Sequence, residues 1–158
     1  MFAKRESRNM LKEKTAMTAD RKNQHPTIVP TLRYRDGAAA VKWLCRAFGF
    51  REQLVVPDEN GAIAHAQLVH GNGMIMLGSA TNNEFHQLVK SPSESGCVGS
   101  QSAYIQVEDV DAHYRQAVAA GAVVVIDIKD EDYGGRGYSC LDPEGHIWNF
   151  GSYDPWAA

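Results

Sequence analysis

The chain repeats one pattern with a period of about seventy-two residues. A helix-capping aspartate, Asp36 or Asp109, precedes a glycine, Gly49 or Gly121, by nearly the same distance in both copies. Further on, two glycine-bounded strings, at residues 73–79 and 145–152, also correspond. Neither copy is long enough to bury a good core alone, so the two copies are expected to pack as one domain. We expect the cleft where they meet to carry the function.

Hydrophobic periodicity predicts the same order of elements, β-α-β-β-β, in both copies. The predicted elements of the first copy are a strand at 28–35, a helix at 38–48 and strands at 50–56, 62–69 and 74–78. Those of the second copy are a strand at 103–108, a helix at 111–120 and strands at 123–128, 137–141 and 147–151. One helix covers one face of each sheet and leaves the other bare. The predicted fold is therefore α+β: two tandem βαβββ modules forming a curved, incomplete barrel around a cavity.

The predicted domain organisation has three parts. Residues 1–25 form a flexible basic extension with a net charge of about +4, and residues 26–158 form a single domain with a net charge of about −7. Within that domain the modules span about 27–80 and 101–154, and residues 81–100 have the serine, glycine and proline content of a linker. The acidic body argues against a nucleic-acid partner.

Composition also predicts the compartment. No apolar run approaches the roughly 20 residues that cross a bilayer, so no membrane partner is expected. The N-terminus lacks the apolar stretch of a secretory signal. The three cysteines, Cys45, Cys97 and Cys140, are odd in number and widely spaced, which favours reduced thiols. A cytoplasmic location is expected.

Two segments carry a family resemblance: Arg33–Asp36 with Trp43 and Phe48–Phe50, and the stretch from Tyr133 to Gly151 with its Asp-Pro-Glu-Gly turn. They resemble the vicinal oxygen chelate superfamily, which includes glyoxalase I, extradiol dioxygenases, fosfomycin-resistance enzymes and bleomycin-resistance proteins. The resemblance covers about residues 28–154. It implies the βαβββ fold but not one function, because the superfamily contains lyases, oxygenases, transferases and drug binders.

The resemblance also implies where a metal ion would sit. In metal-dependent members, His, Glu or Gln ligands come from the first and last strand of each module. The corresponding positions here are Val29, a position near Leu77, Ser102 and Asn149. Aliphatic, hydroxyl and amide groups are poor ligands for a divalent first-row ion. We therefore expect no metal site and no cofactor.

Eight polar or aromatic residues are the candidates for ligand binding: Tyr104, Gln106, Asn149, Arg136, Tyr138, Tyr133, His65 and Gln67. Strand alternation directs Tyr104, Gln106 and Asn149 into the cavity and Trp148 into the core. Arg136 is a candidate because its guanidinium, in a glycine-rich loop beside Tyr133 and Tyr138, can bind an anion. His65 and Gln67 share one face of a strand, but the sequence does not fix the strand register and so does not say which face that is. The alternative for Arg136 is pairing with the acidic run at 130–132.

Two functions follow from these residues. The first is a metal-free small-molecule-binding protein of the glyoxalase/bleomycin-resistance type, which sequesters or senses a drug-like or anionic metabolite. By analogy with bleomycin-resistance proteins, which bind at a dimer groove, a homodimer is implied. The alternative is a metal-dependent lyase or dioxygenase with an unorthodox site or an acid/base pair such as His65 with Arg136. A partner-binding role for the basic extension is a third option.

Overall fold

The computed structural model describes residues 26–81, 84–96 and 99–157. The predicted basic extension lies outside these residues. The elements of module 1 are β1 Thr31–Tyr34, α1 Gly37–Phe48, β2 Arg51–Pro57, β3 Ile63–His70 and β4 Gly73–Ser79. The linker contains α2 Glu84–Leu88 and α3 Pro92–Ser95. The elements of module 2 are β5 Ala103–Gln106, α4 Val110–Ala119, β6 Val123–Asp130, β7 Arg136–Leu141 and β8 Ile147–Gly151.

Each module forms one four-stranded sheet, ordered β1-β4-β3-β2 in module 1 and β5-β8-β7-β6 in module 2. The first strand of each sheet runs parallel to the last, and the other pairs are antiparallel. This arrangement confirms the predicted α+β fold with two βαβββ modules. The two short linker helices were not predicted. None of the helices in the described ranges is long and apolar enough to span a membrane.

The predicted helix ends are confirmed. Asp36 Oδ1 accepts a hydrogen bond from Ala39 N at 2.9 Å, and Asp109 Oδ1 accepts one from Ala112 N at 2.9 Å. These side chains satisfy backbone donors that have no partner inside the helix. Gly49 closes α1 with φ at +76°, a left-handed conformation that glycine adopts without steric cost. The helices therefore begin and end where the repeat places them.

The core forms where the helices cover the sheets and meet each other. Helix α1 presents a continuous buried face that includes Leu44 and Phe48, whereas α4 buries only Val110 and Ala117. Across the two modules, the ring centroid of Phe48 lies 5.4 Å from that of Trp148 and 4.7 Å from that of Phe150. Trp148 is fully buried, which confirms its predicted place in the core. Burying each such side chain contributes about 1.5–3 kcal/mol.

The turn between β7 and β8 fastens module 2 onto module 1. Asp142 is buried there, and its Oδ2 accepts hydrogen bonds from Tyr34 Oη at 2.6 Å and Trp148 Nε1 at 3.1 Å. Burial and the nearby Asp142 charge raise the pKa of Tyr34. The carboxylate of Glu144 accepts from Arg35 N at 2.7 Å and Asp36 N at 2.8 Å, just before α1. The Asp-Pro-Glu-Gly turn is therefore an inter-module clamp.

Candidate functional site

The open face of each sheet is the face turned away from its helix. Residues directly opposite one another on paired strands share a face. In module 1, Met76 lies opposite both Thr31 and Gln67, and Gln67 lies opposite Leu54. The open face of module 1 therefore carries Thr31, Arg33, Leu54, Val56, His65, Gln67 and Met76.

The open face of module 2 follows from the same logic. Tyr104 lies opposite Asn149, Asn149 opposite Ser139, and Ser139 opposite Ile126. Gln106 alternates onto the same face of β5 as Tyr104 and is exposed. Three predicted site residues, Tyr104, Gln106 and Asn149, thus share one open face.

Asn149 is the centre of a hydrogen-bond network on this face. Its Oδ1 accepts from Ser139 Oγ at 2.7 Å. Its Nδ2 donates to Ser102 Oγ at 2.9 Å and to the carbonyl oxygen of Ala103 at 3.0 Å. Asn149 and Ser102, which occupy two of the positions implied for metal ligands, therefore bond to each other.

The remaining two positions hold no ligand atom. Val29 is aliphatic and half-buried. Leu77 is 2% exposed and lies on the face covered by α1, so the open-face residue at that point of β4 is Met76. The expected position is thus shifted by one residue, and the thioether of Met76 is a soft ligand that selects Cu(I). No group of three His, Cys, Asp or Glu side chains in the described ranges could hold a metal ion. The residues present do not fit a divalent first-row ion.

Tyr104 lies flat across the open face. Its hydroxyl donates to the carbonyl oxygen of Tyr153 at 2.9 Å, and its ring is partly exposed. Partial burial and neighbouring Tyr133 raise the pKa of its hydroxyl. Gly151 makes room for the ring, because a Cβ at this glycine would lie 2.7 Å from the Tyr104 hydroxyl. This phenol presents an aromatic surface held in one orientation.

His65 and Gln67 both lie on the open face of module 1. Gln67 Nε2 donates to His65 Nε2 at 3.2 Å. Both side chains are half-buried. The sequence leaves open which face of the β3–β4 hairpin His65 and Gln67 occupy. In the structure they lie on the open face, with Gln67 opposite Met76 of β4.

Arg136 is engaged by two carboxylates. Its Nε donates to Asp111 Oδ2 at 3.1 Å, and its Nη1 donates to Asp130 Oδ1 at 3.0 Å. Its hydrogen bonds to the carboxylates of Asp111 and then Asp130 raise the pKa of Arg136. This arrangement favours the alternative in which Arg136 pairs with the acidic run, extended by Asp111 from α4. His65 bonds to Gln67 in the other module, so the suggested His65–Arg136 pair is not formed.

The two loop-side tyrosines lie in different environments. Tyr138 is 3% exposed and contacts His113 and Tyr114 of α4, so it lies on the helix-covered face, and the next residue, Ser139, lies on the open face instead. The predicted role of Tyr138 in ligand binding stays a prediction. Tyr133 is 67% exposed in the β6–β7 loop, and its ring centroid lies 5.4 Å from that of Tyr153.

Burial raises the pKa of the Cys140 thiol to about 12, as expected for an inert thiol.

Two cavities lie between the modules. The linker cavity, about 480 Å³, is enclosed by the start of β1, the linker and the β7–β8 turn. The junction cavity, about 800 Å³, is bordered by β5 and by the β3–β4 turn at His70. Gln106 and Tyr104 line the junction cavity. Both volumes are in the range of small-molecule sites.

The sequence did not single out Arg33, which lines the linker cavity. Its guanidinium crosses Gly78, where a Cβ would collide with Nη1, and lies 4.8 Å from the centroid of the Phe85 ring. Its Nε is buried and has no hydrogen-bond partner. Strand alternation in β1 predicts which face of the sheet Arg33 occupies. That Arg33 lies over Gly78 could not be predicted, because this contact depends on the parallel pairing of β1 with β4.

A pair of histidines at the module junction was also missed. His113 Nε2 donates to the carbonyl oxygen of Phe48 at 3.2 Å, so in the neutral ring Nδ1 accepts from the Tyr138 hydroxyl at 2.8 Å. The His70 ring lies 6.4 Å from that of His113. Burial lowers the pKa of both histidines. These residues support the junction, and His70 lines the junction cavity together with Tyr104 and Gln106 of the module 2 open face.

Comparison with known families gives one match. The family model described as the Glyoxalase/Bleomycin resistance protein/Dioxygenase superfamily matches residues 24–150. An uncharacterized protein of Mycobacterium bovis is 33% identical over 132 residues, which is 82% of this chain and 84% of that protein.

Solved structures have the same fold. TioX from Micromonospora sp. ML1 is 36% identical, with a TM-score of 0.63, covering 80% of this chain and 97% of TioX. A fosfomycin resistance protein, FosX, from Listeria monocytogenes is 13% identical, with a TM-score of 0.59, covering 80% of this chain and 89% of FosX. That FosX was solved with Mn(II) and a dihydroxypropylphosphonic acid.

Proposed function

The chain belongs to the Glyoxalase/Bleomycin resistance protein/Dioxygenase superfamily, and we propose that it binds a small molecule without a metal ion. It sequesters or senses a drug-like or anionic metabolite and does not transform it. The observation that carries this proposal is the set of side chains at the four implied ligand positions. Val29 is aliphatic, the open-face residue beside Leu77 is Met76 with a single thioether, and Ser102 and Asn149 hydrogen-bond to each other.

The chemistry of the open faces supports binding over catalysis. A divalent first-row ion needs imidazole, thiolate or carboxylate ligands, and Asn149 offers one neutral oxygen that already accepts from Ser139. Amide, hydroxyl and phenol groups suit hydrogen bonding to a partly aromatic molecule, with Tyr104 as a ring on which it can stack. FosX from Listeria shares the fold at low identity, so the fold accommodates an ion and the side chains here decide whether one binds.

A homodimer is part of the proposal. Apolar side chains on the outer strands of both open faces are exposed: Leu54 by 45%, Val56 by 41%, Val123 by 59% and Ile126 by 49%. Leu54 and Val56 lie on the same face of β2, and Val123 and Ile126 lie on the same face of β6, so each sheet exposes its own apolar surface, a feature that commonly marks an interface. A second copy, which brings the same kind of face, is the occupant that we propose.

Light scattering during gel filtration tests the dimer. The wild-type chain is expected to elute with the mass of two copies, and Val56→Lys or Val123→Lys is expected to shift it to one. Val118→Lys is the matched control, because Val118 is 44% exposed on α4, away from the open faces. A wild-type monomer, or equal behaviour of all three variants, contradicts the dimer.

Ligand titration of chelator-treated protein tests the metal-free function. A panel of aromatic drugs and organic acids is titrated into the full chain, and one or more compounds are expected to bind at micromolar concentration. Asn149→Ala should weaken that binding about tenfold or more, because the open-face network loses its centre. Asn60→Ala, in the exposed β2–β3 turn, should leave it unchanged. Binding of no compound, or binding only after a metal is added, contradicts the proposal.

A further inference from the structure

We propose that the linker cavity binds the anionic group of a small molecule, a carboxylate, phosphonate or phosphate, and that Arg33 recognises it. This inference rests on the proposed small-molecule function and assigns both the place and the charge of the ligand. It transfers anion recognition from Arg136, the candidate from the sequence, to an arginine in the other module.

The hydrogen-bonding state of the two arginines separates them. Arg136 donates from Nε and Nη2 to Asp111 and from Nη1 to Asp130, and these two carboxylates offset its charge. Arg33 forms no ion pair with a described residue, and its buried Nε has no hydrogen-bond partner. A buried guanidinium donor is costly to leave unpaired, since it loses water without gaining an acceptor. Arg33 therefore has unused capacity for an oxyanion.

Gly78 and Phe85 flank the Arg33 guanidinium. Gly78 leaves space beside it on β4, where a Cβ would meet Nη1. The centroid of the Phe85 ring, from linker helix α2, lies 4.8 Å from the guanidinium carbon in a cation–π contact. The planar guanidinium suits a planar or tetrahedral oxyanion, which it can bind through paired hydrogen bonds.

The charge of the cavity matches an anion. Two positively charged residues, Arg33 and Lys90, line it, and no aspartate or glutamate of the described ranges does. This is unusual because residues 26–158 carry a net charge of about −7. His146 Nε2 donates to the carbonyl oxygen of Arg33 at 2.8 Å, which ties the β7–β8 turn to the arginine backbone.

The neutral lining indicates the rest of the ligand. Thr31, Gln101 and Ser102 supply uncharged polar groups, while Pro30, Leu88 and Ile147 supply apolar surface. A cavity of about 480 Å³ with this lining suits an organic acid that has an apolar or aromatic body. A free inorganic anion would contact the positively charged side chains of the cavity but not its apolar surface.

The test uses phenylphosphonate as the anionic probe and benzyl alcohol as its uncharged match. Calorimetric titration of the full wild-type chain should show binding of phenylphosphonate and much weaker binding of benzyl alcohol. Arg33→Gln should weaken phenylphosphonate binding at least about tenfold, and Arg33→Lys less, because lysine keeps the charge but not the paired donors. Arg35→Gln is the matched control, since Arg35 is exposed and lies outside the cavity lining; it should bind as the wild type does.

A second readout does not depend on any variant being folded. In isotope-edited NMR of the wild type, phenylphosphonate should shift the Nε–Hε resonance of Arg33, which is assigned by through-bond correlation to the Arg33 backbone. Unchanged affinity in a folded Arg33→Gln, or an unshifted resonance at saturation, overturns the inference. If the chain binds neutral members of the drug panel but not phenylphosphonate, the anion site is wrong and metal-free binding stands. If it binds neither, both proposals fail.

Discussion

The two modules share a fold but use the same turn differently. In module 2 the last hairpin turn carries Asp142 and Glu144, which accept hydrogen bonds from Tyr34 and from the backbone before α1 in module 1. In module 1 the corresponding turn, His70–Gly73, carries no acidic residue and borders the junction cavity. One copy of the repeat thus joins the modules, and the other leaves space between them.

The two modules also differ in how deeply their helices are buried and in which side chains cover their open faces. Helix α1 is buried along most of its length, while α4 buries two residues. On the open faces, a glycine of the last strand admits a long side chain from the first: Arg33 over Gly78 and Tyr104 over Gly151. The same backbone device holds a cation in one module and a phenol in the other. Repetition therefore fixes the frame, but different positions of the first strand reach the glycine: Arg33 lies opposite Gly78, whereas Tyr104 lies two residues before the partner of Gly151.

The largest expected effect comes from the turn of module 2. Asp142→Ala leaves the donors of Tyr34, Trp148 and two turn amides without a buried acceptor, which should lower the free energy of unfolding by about 3–5 kcal/mol. Asp58→Ala removes a carboxylate that accepts from Asn60 N and Ala62 N within its own turn, and should cost about 1 kcal/mol. Urea denaturation of both variants measures the difference. Equal losses would show that the clamp does not join the modules.

The paired glycines give the next effect. In Gly151→Ala the new methyl group would lie 3.0 Å from the carbonyl oxygen of Arg136 as well as against Tyr104, so the backbone must shift, at a cost of about 2–3 kcal/mol. In Gly78→Ala the severe contact is with the flexible end of Arg33, so about 1 kcal/mol is expected. Thermal unfolding of the two variants checks the order. A more destabilising change at Gly78 would mean that Arg33 cannot move aside.

The junction histidines predict a dependence of stability on pH. Burial lowers the pKa of His113 and His70 in the folded state, so the unfolded chain takes up protons first as the pH falls. The stabilisation is complete above the usual histidine pKa and is lost progressively as the pH falls below it. Urea titrations across this range measure the slope, and His113→Gln should reduce it. An identical slope in wild type and variant contradicts the assignment.

The smallest effect concerns the start of the helices. Glu144→Gln keeps one acceptor oxygen for Arg35 N and Asp36 N but loses the charge, which should cost about 0.5–1 kcal/mol. Glu108 is its counterpart before α4, is exposed and accepts no comparable pair of hydrogen bonds, so Glu108→Gln should leave the unfolding midpoint unchanged. A loss of the same size in both would indicate a general charge effect.

Features that depend on local sequence could be predicted. Asp36, Asp109 and Gly49 cap the helices by contacts within a few residues, and the repeat gives the order of strands. Alternation places Tyr104 and Asn149 on one face because β5 and β8 are regular.

Features that depend on register or on distant partners could not. Leu77 and Met76 exchange faces if the alignment of the two glycine strings slips by one residue, and Tyr138 and Ser139 do so across an irregular pairing of β6 with β7. The partner of Arg136, Asp111, comes from α4, twenty-five residues away in sequence. A local reading of the loop at 133–138 cannot include it.

Elemental analysis of protein purified without chelator separates metal-free binding from metal-dependent catalysis. If the open faces bind organic ligands and no ion, the protein will hold far less than one atom of nickel, zinc, manganese or iron per chain, with ligand binding intact. Close to one such atom per chain, lost together with ligand binding in Asn149→Ala, would contradict metal-free binding and favour the metal-dependent lyase or dioxygenase.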